Sequence, residues 1–356
     1  VPNPLRIAAC GGGTAGHYYP ALSVLRAVKE KRDCEIIYFT AAGRIDDINV
    51  ESDIPEAHRT SLSLKGLSRP IARIENFGIL RQHFRQVSHV KRTLEAFRPD
   101  FTFSTGGYIS YPVIKASKSL GIPVFIHEQN ALPGLANRKL AKHTERFFVS
   151  FEESVDRIPL ESQKIVVSGN PVRLPTRGRD ELVKQLGFDP ELPFFVVMGG
   201  SLGSDMINQL CQRLYDRIEG NSDAFQFLHA TGDSSTTNGL HRYSFVRSYD
   251  YVNELHDYIA ASDCAIARGG ATTIAELMRY KTPGIIIPWP LAADNHQYFN
   301  ALSLANARLG CVILENAATE EIIYTKLVKN SRRTEKVPDT GTEPAEIIAE
   351  YLLRGV

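Results

Sequence analysis

Three times in this sequence a short apolar run empties into glycines and then into a helical stretch: Cys10 to His17, Met198 to Asp205, and Ala265 to Glu276. A glycine turn at the end of a strand lets backbone N–H groups approach an anion closely. The free N–H groups and positive end of the following helix point at the same spot. Around these turns Ser201, Thr272 and Thr273 bring hydroxyl donors, and Arg173 brings a cation from a nearby loop. One such turn is common structural punctuation, but three with these donors point to a diphosphate ligand. Glu276 lies one helical turn past Thr272 and Thr273, where a carboxylate can accept hydrogen bonds from paired ribose hydroxyls, the alternative being a helix-surface charge. His17 closes the first loop and is the side chain able to take a proton near neutral pH. It can serve as a base, donate to a second diphosphate, or cap the helix before Tyr18 and Pro20. Glu128 is the rival base, with anchoring of the Asn130 loop as its structural alternative.

The elements that must position these groups read as strand, turn and helix in alternation. Leu5 to Cys10 is a continuous apolar strand, and Pro20 marks a helix start before the Ala21, Leu22, Leu25, Val28 stripe. Further strands are expected at Glu35 to Phe39, Phe101 to Ser104, Val124 to His127 and Arg146 to Val149. After Ser168-Gly169-Asn170-Pro171 a second series begins, with strands near Phe194 to Met198, Gln226 to Ala230, Cys264 to Ala267 and Gly284 to Pro288. Alternating strands and helices predict parallel sheets covered on both faces. The fold class is therefore α/β, two Rossmann-like parallel-sheet domains facing across a cleft, with a hinge near residues 165 to 175 and a terminal helix from Pro344 to Leu353.

Composition narrows the class. The 356 residues suit two domains, and a net charge of +1 gives no bulk electrostatic case for nucleic acid. With 43% hydrophobic and 23% charged residues the chain reads as a globular enzyme. No apolar stretch approaches the roughly 20 residues of a membrane-spanning helix. Val1 to Leu5 is too short and proline-rich for a signal peptide, so a cytoplasmic location is expected. Cys10, Cys34, Cys211, Cys264 and Cys311 have no paired spacing for zinc or redox work. After His127-Glu128 the second histidine of a zinc helix is replaced by Ala131, so no metal site is expected. A dinucleotide oxidoreductase is disfavoured because Thr40-Ala41-Ala42 stands where a ribose-binding acid belongs.

Residues 65 to 98 carry eight basic and two acidic side chains. Leu67, Ile71, Ile74, Phe77, Leu80 and Phe84 are spread among Arg69, Arg73, Arg81 and Arg85. Apolar side chains rimmed by arginine suit an anionic membrane surface. An ordinary amphipathic helix with a solvated basic face is the other reading.

Gly11-Gly12-Gly13-Thr14-Ala15-Gly16-His17 resembles the glycine loop of the MurG glycosyltransferase family. Further resemblances follow in the family's order: Thr105-Gly106-Gly107-Tyr108-Ile109-Ser110, His127-Glu128-Gln129-Asn130-Ala131, Gly169-Asn170-Pro171-Val172-Arg173, Gly199-Gly200-Ser201, Arg268-Gly269-Gly270-Ala271-Thr272-Thr273 with Glu276, and Asp294 to Ala301. The resemblance implies a GT-B fold. Its N-terminal acceptor and membrane-associating domain would span 1–165, with a helix from 341–356 returning to it, and its UDP-sugar domain would span 166–340. It also implies inverting, metal-independent transfer of N-acetylglucosamine from UDP-N-acetylglucosamine to the C4 hydroxyl of an undecaprenyl-linked muramoyl-pentapeptide. This step of peptidoglycan synthesis takes lipid I to lipid II. No cofactor is required, and the enzyme would be peripheral on the cytoplasmic side of the bacterial plasma membrane.

Carried over residue by residue, the resemblance assigns the donor to Thr14, Ala15, Gly16, Asn130, Arg173, Ser201, Val252, Ala271, Thr272, Thr273, Ile274, Ala275, Glu276, Gln297 and Asn300. In this set Glu276 binds the ribose, the Val252 backbone reads the uracil edge, and Gln297 and Asn300 meet the donor sugar. Thr105, Gly106, Gly107 and Tyr108 fall on the acceptor side. Three departures stand out. Ala15 replaces a glycine and would strain a left-handed backbone. Leu202 replaces a glutamine that could touch the donor, and Tyr111 replaces a glycine and would narrow the acceptor entrance. A glycolipid glycosyltransferase with another acceptor, or an idle nucleotide-sugar-binding homologue, would use the same loops.

Overall fold

The computed structural model describes residues 3–66, 75–200, 203–330 and 341–354. Ser201, Leu202, Leu67, Arg69, Ile71, Arg73 and Ile74, all singled out in the sequence, lie outside the described residues. The chain divides into two compact units, Val1–Val172 with Thr342–Val356, and Arg173–Gly341.

The first unit runs β1 (Leu5–Cys10), α1 (Ala15–Lys31), β2 (Cys34–Ala41), α2 (Ile45–Asp53), β3 (His58–Leu62), α3 (Glu75–Phe97), β4 (Phe101–Ser104), α4 (Ser110–Ser119), β5 (Val124–Glu128), α5 (Leu135–Leu140), β6 (Arg146–Val149) and β7 (Ile165–Val167). Its strands form a parallel sheet in the order β3-β2-β1-β4-β5-β6-β7. Central strands are apolar on both faces because helices cover both. On one face Leu5, Ile7 and Ala9 pack with Tyr18, Leu25 and Val28 of α1; on the other Ala8 and Cys10 pack with Val90, Leu94 and Val113. Each large side chain buried this way contributes about 1.5–3 kcal/mol.

The second unit runs α6 (Arg179–Gln185), β8 (Phe194–Met198), α7 (Asp205–Ile218), β9 (Gln226–Ala230), α8 (Ser234–Leu240), β10 (Val246–Tyr249), α9 (Leu255–Ala261), β11 (Cys264–Ala267), α10 (Ala271–Tyr280), β12 (Gly284–Ile286), α11 (His296–Asn306), β13 (Gly310–Val312) and α12 (Glu320–Asn330). Its parallel sheet has the order β10-β9-β8-β11-β12-β13. The last helix, α13 (Pro344–Arg354), belongs to the first unit. Ile348, Ala349 and Leu352 enter the core around α1, and Tyr351 meets Phe148 edge-on at 5.8 Å between ring centroids.

Two local expectations need correction. α1 begins at Ala15, so Pro20 lies inside the helix rather than at its start. The left-handed residue of the first loop is Gly13, at φ 86°, while Ala15 has ordinary helical backbone, so its β-carbon introduces no strain.

Candidate functional site

In the first unit the strand order reverses between β1 and β4, whose carboxyl ends pair at Cys10 and Ser104. Open parallel sheets bind ligands at such a reversal. The loops leaving these strands touch backbone to backbone. A β-carbon on Gly11 would fall 1.7 Å from Thr105 Oγ1, and one on Gly107 would fall 2.7 Å from the Gly12 carbonyl. Thr105 and His17 then clamp the loops reciprocally. Thr105 Oγ1 donates to the His17 carbonyl over 2.7 Å, and His17 Nδ1 donates to the Thr105 carbonyl over 3.0 Å. Gln129 Oε1 is a second acceptor, 2.8 Å from the same Nδ1. With two acceptors facing it, Nδ1 holds the proton, and the neutral ring keeps its lone pair on Nε2.

Asp46, at the start of α2, revises the reading of the first glycine loop as a phosphate cradle. Its Oδ1 accepts from the Gly13 N–H over 2.8 Å and its Oδ2 from the Ala41 N–H over 2.6 Å. The Gly13 amide is therefore taken by a carboxylate, whose pKa burial pushes up. Capacity for an anion remains in the first-turn amides of α1 at Ala15 and Gly16, which have no intrahelical acceptor. Nothing in the composition of the Ile45-Asp46-Asp47 stretch marks this role.

Glu128 is buried, and its carboxylate accepts four hydrogen bonds. Oε1 takes the Asn130 N–H and side-chain amide over 2.9 and 3.0 Å, and Oε2 takes the Gly134 N–H and Asn137 Nδ2, both over 2.9 Å. This saturation suits an anchor for the 129–134 loop. Asn137, which the sequence reading passed over, supplies one of those bonds. Thr105 is fully buried, Gly106 and Gly107 are left-handed, and the Tyr108 ring lies over Gly13 with its hydroxyl beside Arg44. Tyr111 packs edge-on against His83 and Phe84, at 5.9 and 6.2 Å between centroids. It braces α4 against α3.

The second unit repeats the architecture, with its reversal between β8 and β11, which pair at Met198 and Ala267. Arg268, not assigned a role from sequence, ties the two glycine turns together. Its Nε and Nη2 donate to Ser204 Oγ over 3.1 and 2.9 Å, and its Nη1 to the Ile287 carbonyl over 3.1 Å and to Glu315 Oε2 over 2.6 Å. Gln297 Oε1 accepts from the Gly269 and Trp289 N–H groups over 3.2 and 2.9 Å. What this amide has left to offer a ligand is its Nε2 donors. Asn300 is fully buried and donates Nδ2 to the Gly269 carbonyl over 3.0 Å, so it holds the turn that precedes α10.

Along α10, Thr272, Glu276 and Tyr280 recur every four residues and share one face. Thr272 Oγ1 is buried and finds no hydrogen-bond partner among the described residues. A buried hydroxyl left this way costs about 1–3 kcal/mol until something accepts from it. Burial pushes the Glu276 carboxyl up to about 7, against the opposing charge of Arg173. The Tyr280 hydroxyl donates to the Arg173 carbonyl. Ile274 is buried, Ala271, Thr273 and Ala275 are partly so, and Val252 sits partly buried in the loop between β10 and α9. Among the described residues no group of three metal-ligating side chains lies together.

On α3, Phe77, Leu80 and Phe84 are 78%, 41% and 61% exposed, an apolar stripe open to solvent, with Arg81 and Arg85 also exposed. Among the described residues no helix is long and apolar enough to cross a membrane.

Known proteins resemble this chain over nearly its whole length. Residues 7–149 match the glycosyltransferase family 28 N-terminal domain, and residues 194–347 match its C-terminal domain. The UDP-N-acetylglucosamine–N-acetylmuramyl-(pentapeptide) pyrophosphoryl-undecaprenol N-acetylglucosamine transferases of Thermotoga petrophila and Thermotoga maritima are 38% and 37% identical, each over 98% of both chains. The crystal structure of Acinetobacter baumannii MurG, 21% identical, covers 99% of this chain and 100% of its own with a TM-score of 0.71, a likeness of fold. With both family 28 domains matched and relatives this similar end to end, the chain belongs to glycosyltransferase family 28 and, within it, to the MurG family.

Proposed function

We propose that this enzyme transfers N-acetylglucosamine from UDP-N-acetylglucosamine to the C4 hydroxyl of undecaprenyl-linked muramoyl-pentapeptide, taking lipid I to lipid II. Family membership supports the reaction. The observation that carries the chemistry is His17, whose Nδ1 faces two acceptors and whose Nε2 lone pair is thereby reserved. In our reading Nε2 takes the proton of the acceptor hydroxyl as its oxygen attacks the anomeric carbon from the face opposite UDP. The bond to the UDP oxygen breaks with inversion, and the proton rests on the imidazole. Such assistance contributes about 10²–10⁴ in rate. Glu128, saturated with four donors, acts as the loop anchor instead.

The donor is assigned to the second unit. Glu276 accepts from the ribose hydroxyls, the α10 N-terminus with Thr272 and Thr273 meets the diphosphate, and Arg173 neutralises it. Each helix-terminus contact contributes about 0.3–1 kcal/mol, rising to about 2 when partly buried. Gln297 offers donors to the sugar, with Asn300 behind it. These groups supply the positive charge that departing UDP needs, so turnover is expected to persist in excess chelator. We assign the acceptor to the first unit, beside Gly106, Gly107 and Tyr108. The Phe77, Leu80, Phe84 stripe with Arg81 and Arg85 would seat on the anionic cytoplasmic face of the plasma membrane. Titrating UDP-N-acetylglucosamine and UDP-glucose into wild type, Glu276→Ala and Arg173→Ala tests the donor assignment. Both variants are expected to lose affinity, and unchanged binding in both would remove it.

A further inference from the structure

We propose that His127 and Gln129 form a positioning relay for His17, running from the Gly169 carbonyl and fixing which ring nitrogen of His17 can take a proton. The proposal rests on His17 being the base. A backbone carbonyl, which can only accept, sets the direction at each member. The Gly169 carbonyl lies 3.0 Å from His127 Nε2, so that nitrogen holds the proton and His127 Nδ1 is left as an acceptor. Gln129 Nε2 donates to this Nδ1 over 2.9 Å and faces the His127 carbonyl at 3.2 Å. The amide nitrogen therefore stands on the His127 side, and Oε1 turns toward His17. His17 Nδ1, 2.8 Å from that oxygen and 3.0 Å from the Thr105 carbonyl, donates to both.

Burial makes the arrangement exclusive. His127 and Gln129 are 0% and 1% exposed, so no solvent can satisfy a turned amide. Burial also drives the His127 pKa down to about 4, which keeps the ring neutral and its Nδ1 an acceptor at the pH of the cell. Ser150 Oγ, 3.4 Å from His127 Nε2, donates to the Glu128 carbonyl and so presents its lone pairs to the same N–H. Without Gln129 Oε1 the His17 ring is held by the Thr105 carbonyl alone. It can then turn, and the tautomer with a proton on Nε2, which cannot act as a base, gains population. His127 and Gln129 are thus positioning residues that act through His17. The relay is anchored four residues before Arg173, in the segment leading into the second unit.

The test uses the full chain labelled with ¹⁵N-histidine, comparing wild type, Gln129→Met, Gln129→Glu, His127→Phe, His17→Ala and the His17→Ala/Gln129→Met double variant. Nitrogen shifts at pH 8 report the His17 tautomer, and steady-state kinetics report kcat and KM separately. Wild-type His17 is expected to carry its proton on Nδ1. Gln129→Met and His127→Phe should mix the tautomers and lower kcat about 10- to 100-fold, with the KM for UDP-N-acetylglucosamine within about twofold. Gln129→Glu keeps an oxygen facing Nδ1 and should retain the tautomer. The double variant should be no slower than His17→Ala. A wild-type proton on Nε2, an unchanged tautomer in Gln129→Met, or losses that multiply in the double variant would overturn the relay. Full kcat in His17→Ala would remove the base reading instead, while the tautomer shifts still decide the relay.

Discussion

The Tyr280 hydroxyl holds the carbonyl of Arg173, one helical turn beyond Glu276 on α10, and the arginine's charge falls on that carboxylate. The same helix thus carries the carboxylate we assign to the ribose and fixes the backbone of the cation we assign to the diphosphate. Replacing Tyr280 with Phe removes the hydroxyl and keeps the ring. Calorimetric titration of UDP-N-acetylglucosamine should show a loss of about three- to tenfold, from a hydrogen bond of about 0.5–1.5 kcal/mol.

With Glu276 assigned to the donor ribose, folding and donor binding are expected to depend on pH with opposite signs. Its carboxyl rises from 4.5 to about 7 on burial. The neutral form is favoured by the fold, so the stabilisation is complete below about pH 4.5 and is lost as pH climbs through 7, by about 3 kcal/mol at most. Ribose hydroxyls need the carboxylate, so affinity should rise up to about tenfold between pH 6 and pH 8. Glu276→Gln is expected to bind weakly at every pH and to melt higher than wild type at pH 8 without ligand. Titrations and melting curves across that range check both signs.

Glu128 separates an anchor from a base. Both of its oxygens face donors, so Glu128→Gln sets an amide N–H₂ against N–H groups in a buried loop. We expect a loss of about 2–4 kcal/mol in unfolding free energy. A base would instead lose kcat with its melting temperature unchanged.

Arg268 is only 8% exposed; it joins the turns after β8 and β11 through Ser204 and pairs with Glu315 beyond β13. Arg268→Met fills similar volume but leaves Glu315 without its guanidinium partner and Ser204 Oγ with only the Ile207 N–H as donor. A loss of about 2–3 kcal/mol in denaturant unfolding is expected, together with weaker UDP-N-acetylglucosamine binding.

The α3 stripe predicts a surface phenotype. Phe77→Ser, Leu80→Ser and Phe84→Ser together should abolish sedimentation with vesicles rich in anionic lipid while leaving turnover of a soluble acceptor analogue within about twofold. Arg81→Ser with Arg85→Ser should weaken the same binding most at low salt, where screening is least.

The central strands were legible because burial on both faces makes them continuous apolar runs, as at Phe194–Met198 and Cys264–Ala267. The strands not expected from sequence are β3, β7, β10 and β13, and each is an edge of its sheet. His58–Leu62 and Val246–Tyr249 are short and partly exposed, so no apolar run marks them. At the candidate site, motif order singled out His17, Arg173 and Glu276, whose roles are those we propose. Asp46 and Asn137 could not be found that way, because each is defined by what it touches across the fold: Asp46 by the Gly13 amide and Asn137 by the Glu128 carboxylate. Arg268 stood inside a motif, but its role as a tie to Ser204 depends on pairing of β8 with β11.

The most direct measurement is UDP release from UDP-N-acetylglucosamine and from UDP-glucose, with and without a lipid-linked muramoyl-pentapeptide analogue, in wild type and His17→Ala. We predict release that requires the acceptor, is confined to the acetamido donor, and falls about 10²-fold or more in the variant. Tight binding of the donor with no acceptor-dependent release, or equal release in His17→Ala, would contradict it.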